Sequence, residues 1–131
     1  MGCDIHLYIE SKTGLGDFGW ESFGGRIDVG RNYELFGLLA GVRGTREALV
    51  APRGLPGDIS VRAYKGLQSS DLHCHSWLSR KELRAAIAQL TMDVDGEGVE
   101  FASAEWYAIL AAMKALKKAG RRVRIVFAFD S

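Results

Sequence analysis

Apolar and polar residues alternate strictly at both ends of the chain. In residues 4–10, Ile5, Leu7 and Ile9 form one face and Asp4, His6, Tyr8 and Glu10 the other. Near the C-terminus, Val123, Ile125, Phe127 and Phe129 form one face, opposite Arg122, Arg124, Val126, Ala128 and Asp130. A period of two is that of a β-strand with one side on a core. Lys12–Gly16 reads as a turn and Phe18–Phe23 as the return strand of an N-terminal hairpin. Between these ends the period lengthens to that of helices. Asn32 is placed to cap a helix running to about Ala40, with Leu35, Leu38 and Leu39 inward and Gly41 as its stop. Ser79-Arg80-Lys81-Glu82 is a capping box, and Leu83, Ile87 and Leu90 form one stripe of the helix after it. Ser103 caps a second long helix with Trp106, Leu110, Met113 and Leu116 inward. Lys114, Lys117 and Lys118 crowd the end of that helix, where its dipole favours cations, and Gly120 stops it.

These elements predict a single α+β domain over residues 1–131. Its sheet is small, mixed or antiparallel, built from the N-terminal hairpin plus the C-terminal strand and covered by two to three helices. Val42 to Ser70 reads mostly as loop, with one short helical turn after Ser60. Twelve of the sixteen glycines fall between 14 and 66, so the first half is rich in turns. A loop of this length inside a compact domain usually has a function or no fixed structure.

Composition narrows the class. An apolar fraction of 47% with 25% charged residues is that of an ordinary soluble globular protein. The formal charge of +1 argues against a general nucleic-acid or membrane-surface binder. No apolar run reaches the roughly 18 residues of a membrane span, and Asp4 and His6 interrupt any leader at the start. Cys3 and Cys74 are expected to be buried, reduced thiols of a cytoplasmic protein. Charge is nonetheless uneven: residues 26–65 hold seven Arg or Lys and only four acids.

The candidate chemistry lies in the three histidines. If the stretch around them is extended, Asp71, His73 and His75 share one side, as Asp4 and His6 do on the first strand. Antiparallel pairing of the terminal strands would bring Asp130 and the small Ala128 beside Asp4 and His6, as a pocket floor with room above it. Imidazoles with carboxylates suit a divalent metal held by Asp4, His6, His73 and His75, proton transfer by His6, His73 and His75, or donation to phosphate oxygens. Arg31, Asn32, Tyr33, Arg43 and Arg53 add planar donor forks and polar groups suited to phosphate. Arg43 and Arg53 are expected to point into the same depression as the histidines. Neither a G-x-x-x-x-G-K-[ST] loop nor a G-x-G-x-x-G fingerprint is present. Asp93, Asp95, Glu97 and Gly98 resemble the first half of an EF-hand loop, but Glu100 and Ala104 break it, so calcium is not expected.

Met1-Gly2-Cys3-Asp4-Ile5-His6, Arg31-Asn32-Tyr33-Glu34-Leu35-Phe36, Leu39-Ala40-Gly41-Val42-Arg43, Pro52-Arg53-Gly54-Leu55-Pro56 and His75-Ser76-Trp77-Leu78 together resemble a family of small uncharacterised bacteriophage and prophage proteins. The closing Val-Arg-Ile-Val-Phe-Ala-Phe-Asp is similar to that family's end. The resemblance implies a phage or prophage origin and a bacterial host cytoplasm, and no activity. Three readings follow from these features. In the first, an accessory protein binds a phosphate-bearing ligand such as a nucleotide through Asp4, His6, Arg31, Asn32, Tyr33, Arg43, Arg53, His73, His75 and Asp130, and counters host defence by sequestration. In the second it is a metal-assisted or His-catalysed phosphoesterase. In the third it inhibits a host protein and its histidines are structural. Homo-oligomerisation is left open.

Overall fold

The computed structural model describes residues 2–13, 19–44, 46–92 and 101–130. Of the turn read at Lys12–Gly16, Lys12 and Thr13 belong instead to the first strand, paired with Arg122 and Arg121, and the rest, like the EF-hand-like loop at 93–100, lies outside the described residues. Strand β1 is Ile5–Thr13, β2 is Glu21–Ser22, β3 is His73–Leu78 and β4 is Arg121–Phe129. They form one antiparallel sheet in the order β2-β1-β4-β3. The terminal strands are therefore central neighbours, in the register Ile5↔Phe129, His6↔Ala128, Tyr8↔Val126, Glu10↔Arg124. The α+β expectation holds, and the sheet is wholly antiparallel.

Among the described residues, four α-helices accompany it: α1 (Tyr33–Ala40), α2 (Val61–Leu67), α3 (Arg80–Met92) and α4 (Ala104–Lys118). The first three start where side-chain chemistry says they should. The Asn32 side chain accepts from the Leu35 amide at 3.0 Å, and Gly41 closes α1 in the left-handed region at φ 71°. Ser79 and Glu82 form the reciprocal capping box of α3, with the Glu82 amide bonded to Ser79 Oγ and the Ser79 amide to Glu82 Oε1. Ser103 departs from expectation. Its hydroxyl donates to the Val29 carbonyl, tying α4 to the segment before α1 instead of capping α4.

The apolar stripes of α1, α3 and α4 pack on the face made by Ile5, Leu7, Ile9, Ile125, Phe127 and Phe129. Every one of those sheet residues is 3% exposed or less, which makes this the main core. The opposite face is covered too. Tyr8, Val126 and Ala128 lie beneath Ala63 and Leu67 of α2, with Leu72 beside them. Ala128 is fully buried, so the room expected above it is filled. The reason lies in the 42–70 segment, which carries a complete amphipathic helix rather than a single turn. Ser60 caps that helix, accepting from the Ala63 amide at 3.3 Å. Gly66 lets it sit low, because a Cβ there would overlap the Tyr8 hydroxyl.

A buried ion pair fastens this second layer. Glu10 and Arg124 are cross-strand partners, their side chains 0% and 7% exposed, with Nε donating to Oε1 at 2.6 Å. The other Glu10 oxygen accepts from the Ser60 amide at 2.6 Å, so one carboxylate anchors both β4 and the start of α2. Arg124 also donates to Asp58 at 3.0 Å and lies 3.8 Å over the Trp20 ring. Burial pushes the Asp58 carboxyl up, but hydrogen bonds from Arg124 and Trp20 outweigh that and leave it below its ordinary value.

Candidate functional site

At the end of the sheet where β1 begins and β4 ends, the chain termini lock together. The Asp130 amide donates to the Asp4 carbonyl at 3.0 Å, and the Asp4 amide donates to Asp130 Oδ1 at 3.0 Å. The second Asp130 oxygen takes the His6 ring, Nε2 to Oδ2, at 2.7 Å. A carboxylate only accepts, so Nε2 carries the hydrogen and the neutral ring presents Nδ1 as its base. The His6 bond, joined by the Asp4 amide, holds the Asp130 carboxyl below its ordinary value.

Asp4 is gripped by Arg31, Nε to Oδ1 at 2.7 Å and Nη2 to Oδ2 at 3.2 Å. This fork depresses the Asp4 carboxyl and raises the guanidinium. Gly2 makes room for it, because a Cβ at that position would overlap the Arg31 head. The pair is about half exposed, at 51% for Arg31 and 42% for Asp4, so solvent and solutes reach both. Asn32 serves as the cap of α1 and starts the helix at Tyr33. Tyr33 then accepts from the Cys3 amide at 3.2 Å, and its ring supports the Arg43 guanidinium 4.8 Å from the centroid. Burial raises the pKa of the Cys3 thiol, and the neighbouring Arg43 guanidinium lowers it in part. Arg26 reaches the Ile5 carbonyl at 3.2 Å and adds positive charge to Asp4 and Asp130.

Arg43 has φ 68°, in the left-handed region that a non-glycine residue enters at a cost of about 1–2 kcal/mol. Such strain persists where the surroundings over-determine it, and it clusters at ligand sites. Asp4, His6, Arg31, Tyr33, Arg43 and Asp130 are thus brought together from four parts of the chain.

The other two histidines do not join them. A register shift between His73 and Ser76, with Cys74 at φ 54°, puts a bulge into β3. One extra residue reverses the side on which the chain continues, so His73 and His75 do not share a face. His73 pairs with Phe129 on the main-core side, its ring 6.4 Å from the Phe129 ring and its Nε2 buried without a partner among the described residues. His75 turns to the α2 side and donates Nε2–H to the Leu67 carbonyl at 2.9 Å. β3 is also two strand spacings from β1, about 10 Å. The proposed metal set of Asp4, His6, His73 and His75 is accordingly not assembled. Among the described residues, no group of three or more His, Cys, Asp or Glu is placed to hold a metal ion.

Arg53 is elsewhere as well. It forks onto Glu82, stacks 4.2 Å over Trp77 and bonds the Trp77 carbonyl at 3.1 Å, while its amide donates to the buried Ser76 hydroxyl. With the Gly54 amide on the His75 carbonyl at 2.9 Å, these contacts cover the free edge of β3. The expectation that Arg43 and Arg53 share a depression fails because Glu82, in its capping box, is the better-placed partner.

Glu10, Asp58, Trp20 and Arg124 lie outside the site residues legible in the sequence. The signal was present in parity, which puts Glu10 and Arg124 on the same face, but only the register makes them partners.

No family model, curated protein or solved structure matches the chain.

Proposed function

We propose that the protein binds a small phosphate-bearing ligand, such as a nucleotide, at the sheet end where Asp4, His6, Arg31, Tyr33, Arg43 and Asp130 meet. The observation that carries this reading is the half-exposed Arg31 fork closed on the half-exposed Asp4 carboxylate. A phosphate offers a guanidinium the same two-oxygen geometry as a carboxylate, and with more charge. A ligand phosphate therefore competes with Asp4 or joins it, with Arg26 and Arg43 supplying positive charge nearby. His6 Nδ1, fixed by Asp130, faces the ligand as an acceptor when neutral and as a donor when protonated. Together with the resemblance to phage proteins, this describes an accessory protein of the bacterial host cytoplasm that sequesters a phosphorylated signal. No helix among the described residues is long and apolar enough to cross a membrane.

One feature favours a second reading, a His-catalysed phosphoesterase. The His6–Asp130 pair is the arrangement that orients an imidazole as general base.

The test is thermal denaturation with inorganic phosphate and with a panel of nucleotides, each with and without chelator. The binding reading predicts a ligand-dependent rise in Tm that chelator leaves unchanged and that Arg31→Ala abolishes. No rise with any ligand, or a rise that survives Arg31→Ala, contradicts it. Release of inorganic phosphate that depends on His6 would move the assignment to the phosphoesterase.

A further inference from the structure

Some cations of this chain are held in ion pairs, and others, on α3 and α4 and elsewhere, are not. Arg31, Arg46, Arg53, Arg121 and Arg124 are each paired with a carboxylate. Lys81, Arg84, Lys114 and Lys117 have no ion-pair or hydrogen-bond partner among the described residues, and all four are exposed on α3 and α4. The two helices lie side by side, and Arg80 Nε clips the start of α3 to the Leu110 carbonyl of α4 at 3.0 Å. A groove runs between their outer surfaces in two continuous stretches. One, of about 480 Å³, is lined by Arg80, Lys81, Arg84 and Lys117 around Ala85 and Ala88. The next, of about 630 Å³, shares Arg80, Arg84 and Ala88 and continues over Ile87, Leu110 and Ala111 toward Met92 and Tyr107. Met92 is 78% exposed and Tyr107 49%, so large apolar side chains stand open to water at that end.

We propose that this groove docks an acidic amphipathic helix from a partner protein. Small Ala85, Ala88 and Ala111 let a helix backbone approach closely, and the apolar half provides the area that an apolar stripe would bury. The α3 side is 13 residues long, about 20 Å, which accommodates roughly three turns of a helix. Polarity sets direction. Carboxylates at one end of the docked helix meet Arg84, Lys81 and Lys117, while its apolar anchors meet Ile87, Met92 and Tyr107. A nucleic-acid backbone fits less well, because it has no apolar stripe to cover Ile87, Met92, Leu110 and Ala111, beside which Arg80, Arg84 and Lys114 stand. The groove is lined by α3 and α4, and none of its residues belongs to the Asp4–Arg31 cluster.

A displayed library of helical peptides, selected against the intact chain and counter-selected against the Ala88→Glu and Ala111→Glu variants, tests the proposal. Both alanines are exposed, so these variants keep the fold, which circular dichroism verifies. Enriched peptides are expected to carry apolar residues at i, i+3 or i+4 and i+7, with Asp or Glu clustered at one end. Their affinity should fall at least tenfold in Ala111→Glu and in Arg84→Glu, weaken with salt, and be unchanged in Arg31→Ala. Four outcomes overturn the proposal: no enrichment, enrichment without acids, equal binding to the blocked variants, or equal competition by duplex DNA. A concentration-dependent dimer dissolved by Ala111→Glu would do the same, since a second copy of the chain would then be the occupant. The Arg31→Ala arm separates failure here from failure of the ligand site.

Discussion

His6 and Asp130, 124 positions apart in sequence, are joined by a 2.7 Å hydrogen bond that closes the ends of the chain on one another. The bond gives a carboxylate an additional reason to stay ionised, and Asp130 is accordingly held below its ordinary value of 3.8. A depressed folded pKa contributes stability that is complete above the unfolded value and is lost as pH falls through the folded one. The same sign applies to Asp4 beside Arg31 and to Glu82 beside Arg53. Denaturant unfolding should therefore show stability falling below about pH 4. Asp130→Asn should be less stable than the parent near neutral pH and approach it in acid. A constant gap across the acid range would mean that the pair contributes nothing through its charge.

Arg43 separates side-chain function from backbone strain. Arg43→Ala and Arg43→Gly both remove the guanidinium from Tyr33 and Cys3, but only glycine is at ease at φ 68°. The glycine variant should be more stable than the alanine variant by about 1 kcal/mol, and both should bind ligand equally poorly. Equal stability of the two would show that the backbone there carries no strain.

Gly66 lies within α2, where alanine is normally the better helix former by about 1 kcal/mol. Here Gly66→Ala should destabilise by about 1–3 kcal/mol, because the added methyl meets the buried Tyr8 hydroxyl and lifts α2 from the sheet. A stabilised variant would show that α2 rides freely over that face.

The Glu10–Arg124 pair should show strong coupling. Arg124→Ala leaves the buried Glu10 charge without a cation and should cost about 3–5 kcal/mol, whereas Glu10→Ala leaves Arg124 paired with Asp58 and should cost less. Glu10→Leu with Arg124→Met removes both charges and should cost well under the sum of Glu10→Leu alone and Arg124→Met alone in a double-mutant cycle.

Features that depend on neighbouring residues were legible before the fold was known. Strict alternation exposed β1 and β4 and assigned residues 5–10 and 122–129 to the correct faces, while Lys12 and Thr13, which read as a turn, extend β1. Asn32, Gly41, Ser79 and Glu82 marked helix ends because a cap needs only a turn of chain to act. Asp4, His6 and Asp130 converged as parity and antiparallel pairing required. What escaped was set by contacts between distant segments. The bulge at Cys74 gives no local sign, since a non-glycine residue at φ 54° is held there by the strand beside it. That single residue detached His73 and His75 from the cluster. The cover over Ala128 escaped because a seven-residue helix with one glycine has too short a period to recognise in a turn-rich segment. Arg53 was legible as a donor, but its acceptor Glu82 had already been accounted for as a helix cap.

The ligand site is tested most directly by nuclear magnetic resonance of the histidine rings, since the chain has only three. Titration with a nucleotide or inorganic phosphate at constant pH should shift the His6 ring signals in a saturable way. His75, committed to the Leu67 carbonyl, and His73, packed against Phe129, should stay where they are. Unmoved His6 signals at millimolar ligand, or equal movement of all three rings, would contradict a site at Asp4, His6, Arg31, Arg43 and Asp130.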